Sequence, residues 1–328
     1  MGTAITGWGK AVPEKVVTND EMASHLNIDG DWIFQRTGVS ARRIATTETT
    51  TTLAAAAGRS ALEMARMPAT RLDAVIVATV TPDMGVPATA SLVQHELGAK
   101  RAAAFDINAG CSGFVYALAQ ASALVESRFA AKVLVIGADV LSRITNMEDP
   151  KTAPLFGDGA GAVIVENIEG GRRVGPFVLG SDGSRPELLY LEPEKGHLVM
   201  QGREVYRHAV ERMSEAIASA CDAARCTLSD IDLFVMHQAN ARILDAVGVR
   251  AGLDPDKVFS NIGNLGNTSA ASIPLALTEA ASCGRLSDGD RVMLGAFGAG
   301  FTWAAGIVTW GSWASEMQRR GREVSVHA

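Results

Sequence analysis

Residues 105–121 read FDINAGCSGFVYALAQA, and the change of pattern inside this stretch sets the architecture of the chain. A short apolar run gives way to small residues, then to Cys111, then to apolar side chains at Phe114, Val115, Leu118, Ala121 and Val125. The first part has the character of a strand, and the second repeats at helical spacing. Cys111 therefore falls at or just before a helix N-terminus, where free N–H groups and the helix dipole favour a thiolate. A thiol held there is a candidate nucleophile. Free cysteine is also among the most buried residue types, and this segment alone leaves a buried structural cysteine open.

Working outward, the same strand-to-helix alternation runs through the whole chain. Helical patterns cover 53–64, 111–128, 203–224 and 269–281, with near-continuous apolar strands such as VLVIGA between them. That is the pattern of an α/β protein with mostly parallel central strands, in sheets covered on both faces. The pattern also occurs twice. LDAVIVATV begins at Leu72 and IDLFVMHQA at Ile231; Cys111 opens one small-residue helix and Asn267 another; KVLVIGADV begins at Lys132 and RVMLGAFGA at Arg291. The first and third pairs are separated by the same number of residues, and the second by only three fewer. Each half then ends in a glycine-rich turn and an apolar strand, AGAVIVEN and TWAAGIVTW. Two similar α/β halves are expected, 1–170 and 171–328, divided near NIEGGRRVGP at 167–176, where glycines, charge and a proline gather. The stretches 151–154 and 181–202 read as loops.

Composition narrows the function. The chain has 328 residues, 47% of them hydrophobic and 20% charged, which suits a soluble enzyme able to bury a large core. The 33 glycines point to tight helix–sheet packing. Cys111, Cys221, Cys226 and Cys283 are spaced like neither a disulfide framework nor a zinc site, so no metal is expected and a reducing compartment is. A net charge of −6 argues against general nucleic-acid binding. The N-terminal residues lack a basic start followed by a long apolar stretch, and runs such as 74–80 are far too short to span a membrane. A cytoplasmic protein is expected.

If a pseudo-twofold relates the halves, equivalent loops meet at one centre. HQAN (His237 to Asn240) follows a buried-type strand, and GNTSAAS (Gly266 to Ser272) stands where Cys111 stands in the first half. A lone histidine after a strand is usually structural, and Asn267 by itself is most simply a helix N-cap. A cysteine with a histidine and an asparagine elsewhere in the chain is nevertheless a recognised set for thiol catalysis.

Cys111 in FDINAGCSGF, His237 in HQAN, Asn267 in GNTSAAS and the glycine-rich GAFGAGFTWAA (295–305) together resemble the β-ketoacyl-ACP synthase III family of the thiolase-like superfamily. DWIFQRTGVSARRIA (31–45) and FGDGAGAVIVE (156–166) match its pattern too, so the resemblance runs nearly end to end. It implies a five-layer αβαβα fold and a decarboxylative Claisen condensation. Cys111 would take an acyl group from acyl-CoA, with the backbone N–H groups of Cys111 and Ala299 as oxyanion hole. His237 and Asn267 would hold the carbonyl of a malonyl thioester, normally on acyl carrier protein. Trp32 would stack on the CoA adenine, Arg36 would lie near the nucleotide, and Asn240 would line the pantetheine tunnel. Arg207, Arg242 and Arg250 would meet the acidic carrier protein at the tunnel mouth. No permanently bound cofactor is implied, acyl-CoA being a substrate, and a homodimer is expected.

Several positions depart from the family's usual pattern. Pro150 and Lys151 stand where an arginine often covers the adenine, which leaves Lys151 as its replacement. Asn108 and Gly110 precede the cysteine where alanines are more usual. Val86 aligns with a position that often carries phenylalanine and closes the acyl pocket across the dimer interface, so an acyl group larger or more branched than acetyl is expected. GAFGAGF carries no second cysteine, against a thiolase, and Asn267 stands in place of the second histidine of elongating synthases. Three alternatives remain: a specialised synthase of secondary metabolism that primes a polyketide or joins two acyl chains, an acyltransferase of this fold that passes the acyl group to a hydroxyl or amine without decarboxylation, and a non-catalytic partner subunit. The last predicts loss of the cysteine.

Overall fold

The computed structural model describes residues 2–168 and 174–311. Two five-stranded sheets carry the structure. The first runs in the order Gly2–Ala11, Asp158–Ile168, Lys132–Val140, Ala74–Ala78, Ala103–Ile107. The second runs Val174–Ser181, Thr302–Thr309, Arg291–Gly298, Leu233–Met236, Val258–Phe259. Strand order and sense match position by position: two antiparallel pairings, then two parallel ones, in each sheet. The internal repeat read from the sequence is thus a repeat of topology.

Each sheet is more mixed than the expected, mostly parallel one. Lys132–Val140 is followed by Asp158–Ile168, and Arg291–Gly298 by Thr302–Thr309, with only a loop or a tight turn between. A returning antiparallel neighbour needs no crossover helix, whereas a parallel one does.

The apolar strands are buried on both faces because helices cover both sides. In Ala74–Ala78 all five residues are buried. Val75 and Val77 pack outward with Ala54, Ala57 and Leu62 of helix Thr50–Met64. Ile76 packs inward with Phe114 and Leu118 of helix Gly113–Glu126. The second sheet repeats this: Phe234 and Met236 face Met213, Ile217 and Val247 of helices Gly202–Ala224 and Ala241–Ala251, while Val235 joins the inner cluster. Helices Gly113–Glu126 and Ser272–Ser282 form the middle layer between the sheets, giving αβαβα. Phe114 and Leu118 are fully buried there, each contributing roughly 1.5–3 kcal/mol.

Helix ends differ from the expected ones in two telling places. The helix expected from residue 111 starts at Gly113, behind Ser112, and the one expected from residue 269 begins with a 3₁₀ turn, Ser269–Ala271, before Ser272–Ser282. Within 181–202, read as loop, Leu189–Leu191 and Leu198–Met200 pair as a small antiparallel ribbon. The expected division at 167–176 runs through residues 169–173, outside the described residues; the strands on either side of it belong to different sheets. Among the described residues no helix is long and apolar enough to cross a membrane.

The middle layer sits so close to the first sheet that Gly137 has no room for a side chain: a Cβ there would overlap the Ala270 carbonyl oxygen. Gly137→Ala should therefore destabilise the protein by about 1–3 kcal/mol, whereas Gly248→Ala, in open space on helix Ala241–Ala251, should stabilise it by about 0.5–1 kcal/mol. Urea denaturation midpoints at unchanged slope would test the opposite signs.

Candidate active site

Cys111 lies beyond the end of strand Ala103–Ile107, on a turn pressed against the turn that joins the last two strands of the second sheet. Neither turn carries a side chain where they cross. Gly110 has φ +57°, and a Cβ on it would lie 2.8 Å from Ala299 N; a Cβ on Gly298 would overlap Cys111 N. The glycine at 110, where alanine is more usual, is thus required by this approach. Thr302 Oγ1 donates to Ala109 O at 2.7 Å and Ser112 Oγ donates to Thr302 O at 3.2 Å, locking the two turns together. Cys111 and Ala299 are brought side by side, and among the described residues neither backbone N–H donates to another residue.

His237 follows strand Leu233–Met236 and donates its backbone N–H to Gly295 O at 2.7 Å. Its ring is buried, with Nδ1 2.7 Å from Ser272 Oγ, and Nε2 remains open to the cavity. The neighbouring Gln238 is fully engaged: its amide donates to Met236 O and Phe259 O and accepts from Ser260 Oγ and Asn261 N. Asn267 is buried as well. Its Oδ1 accepts from Ser269 N at 2.9 Å and its Nδ2 donates to Ala239 O at 3.2 Å, which leaves one amide hydrogen for the cavity. Its backbone ties the halves together, donating to Leu155 O and accepting from Gly157 N. Asn267 is not the cap of helix Ser272–Ser282, the reading its residue type first suggests; it closes the turn before it.

Burial sets the charge states. Desolvation pulls the His237 imidazole down to about 3, so the ring is neutral and able to donate from Nε2 when Nδ1 accepts from Ser272. Desolvation pushes the Cys111 thiol up to about 11, with the Asp139 charge adding to it and the Ser269 hydroxyl opposing it. The resting group is a neutral thiol, not the thiolate that a place before a helix led us to expect. Cys111 stands outside the cap residue Ser112, and loss of solvent outweighs the helix end.

Cys111, His237, Asn267 and Ala299 all line one cavity of about 930 Å³. Arg36, Asn240 and Arg242 line it as well. Asn240 caps helix Ala241–Ala251, accepting from Arg242 N and donating to Arg36 O at 3.0 Å, so its amide holds the wall in place. Trp32 is outside the lining; the Arg36 guanidinium stands over its ring at 5.7 Å. Lys151, Arg207 and Arg250 are exposed and outside the lining, with Arg207 paired to Glu204 at 2.8 Å. Val86 is 88% exposed and is not among the residues that line the cavity of its own chain. Sequence reasoning missed the apolar wall from Leu189, Leu191, Leu198 and Met200, because three-residue strands carry no readable period. It also missed Ser269 and Ser272, although GNTSAAS contains both. Among the described residues no group of three or more His, Cys, Asp or Glu side chains is arranged to hold a metal.

Known proteins share this arrangement of chain. Residues 105–183 match the family model described as 3-oxoacyl-[acyl-carrier-protein (ACP)] synthase III, and residues 221–310 match the model of its C-terminal part. The β-ketoacyl-[acyl-carrier-protein] synthase III 2 of Streptomyces coelicolor is 48% identical over 312 residues, 94% of each chain. The crystal structure of the 3-oxoacyl-[acyl-carrier-protein] synthase III of Aquifex aeolicus superposes with a TM-score of 0.92 at 42% identity, covering 94% of this chain and 100% of that one. The priming β-ketosynthase of the R1128 polyketide biosynthetic pathway superposes with a TM-score of 0.91 at 34% identity, covering 94% and 96%.

The depressed His237 value has a consequence for stability. Above 6.5 the ring is neutral folded and unfolded; below it the unfolded chain binds the extra proton, so stability falls as the pH drops from 6.5 toward about 3. This group alone contributes a slope of at most about 1.4 kcal/mol per pH unit. Urea unfolding at about pH 7 and about pH 5 should show a smaller loss in His237→Gln than in the parent. An equal loss in both would contradict the buried neutral ring.

Proposed function

The chain belongs to the β-ketoacyl-ACP synthase III family, and from that premise we propose that it joins an acyl group from acyl-CoA to a malonyl thioester carried on acyl carrier protein, by decarboxylative Claisen condensation. The observation that carries this reading is the convergence on one cavity of a thiol, two unengaged backbone N–H groups, a neutral histidine and an amide hydrogen.

Cys111 Sγ attacks the thioester carbonyl of the acyl donor, and the N–H groups of Cys111 and Ala299 stabilise the oxyanion that forms. Collapse expels the CoA thiol and leaves an acyl-cysteine. The malonyl thioester then places its carbonyl oxygen against His237 Nε2 and the Asn267 amide. Loss of CO₂ builds enolate charge on that oxygen, where two preorganised neutral donors are worth most. The carbanion attacks the acyl-cysteine carbonyl and makes the carbon–carbon bond.

Trp32 and Arg36 receive the adenine end of CoA, with Lys151 as the replacement for the usual arginine, and Asn240 holds the tunnel wall. Arg207, Arg242 and Arg250 present positive charge for an acidic carrier protein despite the chain's net charge of −6, because docking responds to the local field. The exposed Val86 closes the acyl pocket of a second copy in a C₂ homodimer, and its small side chain leaves room for more than acetyl. Halves 1–170 and 171–328 act as two units of one cytoplasmic catalyst that uses no resident cofactor.

Intact-mass spectrometry after exposure to a panel of acyl-CoAs tests the first half-reaction. Acylation should favour chains longer or more branched than acetyl and disappear in Cys111→Ala. Asn267→Ala should still acylate but lose condensation with malonyl-ACP by about 10²–10³-fold. Transfer to a hydroxyl or amine acceptor, with no CO₂ released from malonyl-ACP, would overturn the condensation.

A further inference from the structure

Acylation of Cys111 leaves one proton to be moved. His237 is badly suited to take it, since its Nδ1 is held by Ser272 and its buried ring stays neutral. A different acceptor lies behind the cysteine, on the seam between the halves. Asp139, at the end of strand Lys132–Val140, is completely buried. Its Oδ1 accepts from Thr79 Oγ1, Val80 N, Thr81 N and Thr81 Oγ1 at 2.8–3.2 Å. Its Oδ2 accepts only from Ala270 N, at 3.1 Å, and no lysine or arginine pairs with it among the described residues. One oxygen of this carboxylate is saturated and the other has room.

Ser269 fills the space between. Its side chain lines the cavity and is buried, and its Oγ completes no hydrogen bond of ordinary geometry. That hydroxyl nevertheless lies within interacting range of both the Cys111 thiol and the Asp139 carboxyl. Its backbone is clamped from both sides, through Ser269 N to Asn267 Oδ1 and through Ala270 N to Asp139. The residue has φ +52°, which glycine would adopt without strain. A serine kept there, with an idle hydroxyl, points to use of the side chain.

Resting on the reading of Cys111 as the acyl-carrying nucleophile, we propose that Ser269 is a catalytic residue of the acylation step and passes the Cys111 proton to Asp139. As Cys111 Sγ bonds to the thioester carbonyl carbon, its proton moves to Ser269 Oγ while the Ser269 hydrogen moves to Asp139 Oδ2. The bond from that carbon to the departing sulfur then breaks, with the electron pair going to sulfur. The proton returns from Asp139 through Ser269 to that sulfur, so a neutral thiol leaves and the carboxylate is restored. Burial raises both the Cys111 thiol and the Asp139 carboxyl, which suits two groups that hold one proton in turn. Cys111, His237 and Asp139 are the titratable groups that meet here; Arg36, Arg203 and Arg242 line the same cavity but are exposed at its outer end.

Ser269→Gly removes the hydroxyl and suits the backbone, and Asp139→Asn removes the acceptor with the hydroxyl in place. Two rates are followed from about pH 6 to about pH 9: single-turnover acylation by intact mass, and iodoacetamide alkylation of Cys111 by peptide mapping. The parent protein should show a nearly flat profile. Ser269→Gly should be slower by about 100-fold at neutral pH and gain about tenfold per pH unit, because solvent must then form the thiolate. Asp139→Asn should show the same slope. A flat, parent-like profile in Ser269→Gly would overturn the relay, as would a uniform slowing of both reactions at every pH. If the parent accepts no acyl group at all, the acyl-enzyme reading fails separately, and the alkylation profiles still decide the relay.

Discussion

Two turns from opposite halves of the chain share one pocket only because neither carries a side chain where they cross. Gly110 and Gly298 let the backbones of Cys111 and Ala299 lie side by side, and Thr302 and Ser112, 190 residues apart, fasten the contact. The rest of the site depends on this approach. It sets two N–H groups at one point without a partner, which a buried backbone tolerates only where something else is to be bound. It also fixes the sulfur relative to His237 and Asn267, which enter from the other half.

The same close packing governs the electrostatics. The middle helices pack an apolar cluster against both sheets, so the ionisable groups buried at the seam meet the cost of leaving water. His237 responds by staying neutral and Cys111 by keeping its proton. A neutral imidazole and an amide are the right donors for charge that develops on oxygen, since neither brings a counter-charge that must be neutralised at rest. The cost falls on Cys111, whose proton must leave if the sulfur is to act as the proposed nucleophile.

Much of this was legible in the sequence. The apolar strands and the repeated offsets gave the two α/β halves, and the order and sense of the strands match between the sheets as the repeat required. Cys111, His237 and Asn267 stood out because each interrupts an apolar pattern at a strand or helix end. Less could be read where the deciding factor is a contact rather than a pattern. The antiparallel strands of each sheet follow from short connections, and the walls at Leu189–Leu191 and Leu198–Met200 are too short to show a period. Ser269 and Ser272 look alike in GNTSAAS; Ser272 holds the His237 ring, and Ser269 is buried in the cavity wall within range of the thiol.

Sequence alone determined the kind of elements, their duplication and which side chains are candidates for the site, because these follow from local periodicity and from residue chemistry. Tertiary structure decided their state. A helix end near Cys111 suggested a thiolate, but the helix starts at Gly113 and burial leaves a neutral thiol. Solvation depends on every atom packed around a group, and most of those atoms come from residues distant in the chain. No reading of neighbours along the sequence could supply that sum.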